Sequence, residues 1–146
     1  MILFMKIKLN YLLLPIALFA VSCELYETRA LKNNISELFV QHKISVSEMD
    51  CRSNLRERSG ICVFTAGRED ISGLIESLKL KKSSISTKEK IEECKKSSLS
   101  RENGIVETFV NLEKLELKNG QAFEKFNLFY NQNTREGCVQ IEYSYG

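Results

Sequence analysis

Chemistry in this chain would have to come from few residues: five cysteines, one histidine and a short arginine cluster. Cys51, Cys62, Cys94 and Cys138 form an even set, and Cys23 stands apart near the front. There is no C-x-x-C and no cluster of paired Cys and His, so neither zinc binding nor thiol redox chemistry finds its spacing. Disulfides are the remaining use, and four cysteines allow three pairings. Cys51 and Cys62 flank a polar turn between two strand-like runs, which favours Cys51 with Cys62 and leaves Cys94 with Cys138 by elimination. Crosslinks over such loops contribute on the order of 3 to 4 kcal/mol each in the chain-entropy picture.

His42 is the only histidine, so any general-base or metal role rests on it alone. It falls on the apolar stripe near a helix end, where packing or a favourable placement against the helix dipole explains it better. Arg52, Arg56 and Arg58 sit on and beside a turn, where guanidinium groups could grip a carboxylate or a phosphate; the plain alternative is a solvated turn tip. Phe123, Phe126, Phe129 and Tyr130 could form an aromatic ligand face, but their strand setting makes core packing the better account for at least Phe126 and Tyr130. No G-x-S-x-G elbow and no phosphate-cradling glycine loop is present, and Glu92 and Glu93 read as helix surface. Asn34, Ile35 and Ser36 match a glycosylation acceptor by spacing only. No cofactor is implied.

The elements that must position these residues follow from periodicity. Leu31, Ile35, Leu38 and Phe39 recur at helical spacing, predicting an amphipathic helix over Glu27 to Gln41. Ile44 to Cys51 and Ile61 to Ala66 read as a hairpin around Asn54 to Gly60. Gly67, Glu69 and Asp70 open a second helix with the stripe Ile71, Leu74, Ile75 and Leu78. Residues 81 to 104, rich in Ser, Lys and Glu, read as a solvated connection. Within it Ser86 and Glu89 form a capping box for a short, slightly buried helix carrying Ile91 and Cys94. Ile105 to Val110, Leu115 to Leu117, the alternating run through Phe126, Leu128 and Tyr130, and Cys138 to Tyr143 complete the strands, with Asn119 and Gly120 as one turn and Asn131 to Gly137 as another. The expectation is an α+β fold: a small antiparallel sheet, two or three helices packed on one face, and two disulfides.

The front of the chain sets its destination. Lys6 and Lys8 precede an apolar stretch, Tyr11 to Val21, that suits a secretion signal core. The stretch is interrupted by Pro15 and stops at Ser22, Cys23 and Glu24, short of the about 20 apolar residues that a membrane span needs. Met5 followed by Lys6, Ile7 and Lys8 is the more conventional opening, which points to Met5 as the start. Ala20, Val21, Ser22 and Cys23 resemble the lipobox of bacterial lipoproteins, in which a small residue precedes an obligatory cysteine; Ala20 departs from the Leu usually found three residues before it. The resemblance implies cleavage after residue 22, a diacylglyceryl thioether on the Cys23 sulfur and acylation of its new amine. Two or more long chains hold a soluble domain on a membrane, whereas one binds marginally. The alternative is an ordinary signal cut nearby, with Cys23 a plain thiol.

The expected organisation is a cleaved signal over 1–22, a lipidated N-terminus and short tether over 23–27, and one domain over 28–146. Removing Lys6 and Lys8 from 21 basic residues leaves 19 against 19 acidic ones, which argues against electrostatic nucleic-acid binding. Three function classes remain. The preferred one is a non-enzymatic, membrane-anchored envelope lipoprotein that binds or supports another macromolecule. The alternative is an inhibitor or immunity-type module against a secreted enzyme, presenting Arg52 to Gly60 as a loop made rigid by the Cys51–Cys62 bond. An enzyme would require a pocket that brings His42 beside a carboxylate or a free thiol.

Overall fold

The computed structural model describes residues 2–83, 94 and 106–145; in the first helix it places the side chains from Ser22 onward, with Leu18 and Phe19. The chain is α+β, with helices α1 (Ile2–Gln41) and α2 (Arg68–Ser77). The strands are β1 (Val46–Asn54), β2 (Ser59–Ala66), β3 (Lys81–Lys82), β4 (Val106–Val110), β5 (Leu115–Glu116), β6 (Ala122–Asn131) and β7 (Glu136–Tyr143). They make one antiparallel sheet in the order β1-β2-β7-β6-β4-β3, with β5 also paired to β6. Seven strands make the sheet larger than expected. The additional strand is Lys81–Lys82, which pairs with Val110 and Phe109 although its residues read as solvated connection. An exposed dilysine carries no alternation, yet lysines are what a sheet edge tolerates.

Alternation decides the core. In β2, Cys62, Phe64 and Ala66 are buried; in β7, Val139 and Ile141; in β6, Phe126, Leu128 and Tyr130. These join Leu31, Ile35, Leu38 and Phe39 of α1 and Ile71 and Leu74 of α2 in a single cluster, so both helices cover the same face. Phe39 meets Phe64 edge to face, ring centroids 5.1 Å apart, a favoured aromatic geometry. Gly137 lies across from Phe64, whose ring occupies the space that a Cβ there would need.

Both helices stop in the same way. Lys43 (φ 59°) and Lys79 (φ 51°) adopt the left-handed conformation. Ile44 N–H then reaches back to the Phe39 carbonyl (2.8 Å), and Leu80 N–H to that of Ile75 (2.9 Å). These are Schellman closures with lysine where glycine is usual, and the following apolar residues, Ile44 and Leu80, are buried. Unlike the expected helix over Glu27 to Gln41 behind a short tether at 23–27, α1 is already helical through Cys23 to Glu27. No Gly or Pro occurs between Pro15 and Gly60 to stop it.

The proposed short helix at Ser86, Glu89 and Ile91, and the pair Glu92 and Glu93, lie outside the described residues. Cys94, expected to be slightly buried, is 1% exposed, packed with Phe129 and Cys138 on the sheet face away from the helices.

Candidate binding surface

The cysteines pair as the order of elements predicts. Cys51 and Cys62 are direct cross-strand partners with Cα atoms 4.1 Å apart, and Cys94 joins Cys138 across 6.2 Å. Disulfides of this kind belong to an oxidising compartment such as exported chains reach. Cys23 is an exposed free thiol on α1. Among the described residues no helix is long and apolar enough to cross a membrane.

The three arginines do not converge. The hairpin register places Arg52 opposite Ile61, on the face away from the helices. There it borders an open depression of about 390 Å³ with Asn54, Ser59, Lys125, Asn127 and Glu142. Lys125 and Glu142 form an exposed ion pair of 2.8 Å across β6 and β7. Arg56 is at the exposed turn tip, and Arg58 stacks its guanidinium on the Tyr145 ring at 4.8 Å. Arg58 itself has φ 49°, held by the bond from Tyr143 N–H to its carbonyl (2.9 Å). The depression thus offers planar hydrogen-bonding groups and charges of both signs, chemistry suited to a polar macromolecular surface.

His42 borders a second depression, of about 540 Å³, where the ends of α1 and α2 meet residues 112–116. Glu113 and Glu116 line it too, but among the described residues no hydrogen bond or ion pair engages the imidazole. The free thiol of Cys23 is 19 residues back along α1, about 28 Å at the helical rise.

The aromatic residues are core, as expected for Phe126 and Tyr130, and Phe123 and Phe129 are buried with them. Phe123, Phe126, Phe129 and Tyr130 are each at most 2% exposed. A register shift between Phe123 and Lys125 turns Phe123 to the same side as Phe126, which strict alternation would not do. Phe129, of opposite parity, packs on the Cys94–Cys138 side. Tyr130 donates to the Ala66 carbonyl (2.9 Å), and burial pushes its phenol above the ordinary range.

A polar centre that sequence reasoning missed is Asn34. Its amide nitrogen donates to Gln121 (2.9 Å) and to the Tyr143 hydroxyl (3.1 Å), while its oxygen accepts from Asn119 (3.0 Å). Burial raises the Tyr143 pKa, opposed by that bond from Asn34. The glycosylation-like triplet is therefore a clamp between α1, the β5–β6 turn and β7. The only signal available was the pair Asn33 and Asn34 beside the Leu31 and Ile35 stripe. Compared with protein families, with characterised proteins and with solved structures, the chain matches none.

Proposed function

We propose that this is an exported lipoprotein of the bacterial envelope, held to a membrane by acyl chains on Cys23, whose domain binds another macromolecule without catalysing a reaction. The observation that carries the reading is the division among the cysteines. Four are consumed in buried crosslinks, while Cys23, at the position where a lipobox places the acylated residue, is unpaired and exposed. The polar depression around Arg52 supports the binding part, because its hydrogen-bonding groups sit on a sheet braced from behind by the packed helices.

The test is metabolic labelling with a clickable fatty acid, followed by membrane fractionation and intact mass of the product. The native chain should carry label, pellet with membranes and begin at Cys23 with added acyl mass. Cys23→Ser should lose label and leave the pellet. An unacylated native chain, or label that persists in the variant, removes the reading.

The inhibitor or immunity-type alternative draws on one feature. The hairpin tip, with Leu55 at 47% exposure, projects beyond a base closed by Cys51–Cys62. It would be favoured if a secreted hydrolase were captured through this tip and lost activity on capture.

A further inference from the structure

The large apolar side chains left exposed are unevenly placed. Of those that follow Cys23, Leu25 (66%), Tyr26 (72%), Leu55 (47%) and Tyr145 (76%) belong to one end of the molecule, against Val40 (74%) and Leu112 (63%) at the other. Helix α1 runs antiparallel to β1, since Thr28 meets Ser53 (3.1 Å) and Ser36 meets Met49 (3.4 Å). Stepping back from Thr28 to Cys23 therefore leads the same way as stepping forward from Ser53 to the turn at Leu55. The Arg58–Tyr145 stack and the Tyr143 to Arg58 bond bring the last residues to that end as well. Cys23 is five residues before Thr28, about 8 Å of helix, so an anchor on its sulfur leaves the domain little slack.

We infer that this end is a membrane-docking surface, on which Leu25, Tyr26, Leu55 and Tyr145 enter the boundary between headgroups and acyl chains while Arg56 and Arg58 meet lipid phosphates. The inference rests on the lipid-anchor reading above and names what the anchored end touches. Tyrosine combines an apolar body with a polar tip and is enriched at this boundary, and arginine keeps its charge in the headgroup layer while its stem lies along apolar surface. Arg56 and Arg58 flank Glu57, leaving one net positive charge at the turn. Apolar and aromatic contact therefore dominates, and docking should be as good on neutral lipid as on anionic lipid and insensitive to salt.

The chain contains no tryptophan, so a single introduced Trp is a background-free reporter. Acylated mature protein, beginning at Cys23 and carrying Leu55→Trp or, independently, Tyr145→Trp, is reconstituted into phosphatidylcholine vesicles with brominated acyl chains. The control is Leu112→Trp, 63% exposed beside the far end of α1. Trp at 55 and 145 should be quenched several-fold more than Trp at 112, with no change at high salt. Intact mass and vesicle flotation are recorded on the same samples. Acylated, floating protein with equal quenching at all three positions, or none at 55 and 145, overturns the docking surface and leaves the anchor standing. Absence of acyl mass and of flotation overturns both.

Discussion

The two faces of the sheet are stabilised by different means. On the helix-covered face nineteen buried residues form one cluster, and the Cys51–Cys62 bond only adds to strands already in register. On the other face, among the described residues, the buried cluster is Cys94, Phe129 and Cys138, and much of the remainder is polar. Burial of apolar surface holds the first face. A covalent bond does more of the work on the second. A face that need not be apolar to be stable is free to present hydrogen-bonding groups, and the candidate depression is found there.

The largest test of this contrast is to remove each crosslink. With sequence separations of 44 and 11 between the bonded cysteines, the chain-entropy relation gives about 4 kcal/mol for Cys94–Cys138 and about 2.8 kcal/mol for Cys51–Cys62. Denaturant unfolding of Cys94→Ala/Cys138→Ala should therefore show the greater loss, by about 1 kcal/mol or more, against Cys51→Ala/Cys62→Ala. Equal losses, or the reverse order, would break the comparison. A smaller test addresses packing. Gly137→Ala puts a Cβ 2.5 Å from a Phe64 ring carbon on the helix-covered face, so overpacking should cost about 1 to 3 kcal/mol. Asn127→Ala, in the polar depression, should stay within about 0.5 kcal/mol of the parent in the same measurement.

What could be read in the sequence divides along similar lines. Elements whose information is local and periodic were legible: the stripe of α2, the alternation in β6 and the cysteines flanking one turn. Phe123 was not, because a bulge two residues away changes its face and leaves no mark in composition. The ends of α1 and α2 were legible to within a residue, but the left-handed closures at Lys43 and Lys79 were not, because lysine stands where glycine is usual. The Asn34 clamp joins residues 85 to 109 positions apart, beyond any local pattern. At the candidate surface Arg52 was identified from its place beside the turn. Its separation from Arg56 and Arg58 follows from register and from the Tyr145 stack, which only the assembled sheet determines.

The smallest effect concerns the margin of the helix-covered face, where β3 and β4 replace packing with charge. Glu107 accepts from Lys82 (2.8 Å) and from Gln132 (2.7 Å), and these bonds, Lys82 first, hold its carboxyl below the ordinary range against a burial effect that raises it. A carboxyl lowered in the folded state adds stability above its unfolded pKa, and that stability is lost as pH falls through the folded value. The Lys82 side chain is 67% exposed, so solvent screening limits the pair to a few tenths of a kcal/mol, at most about 1. Lys82→Met should accordingly be slightly less stable than the parent at neutral pH, and the gap should close at acid pH, once pH has fallen through the lowered folded-state pKa and the carboxyl is protonated. A gap of unchanged size at both pH values would mean that Lys82 acts through its aliphatic stem along β4. The margin would then be held by packing like the interior of that face, and the contrast between the faces would extend to the sheet edge.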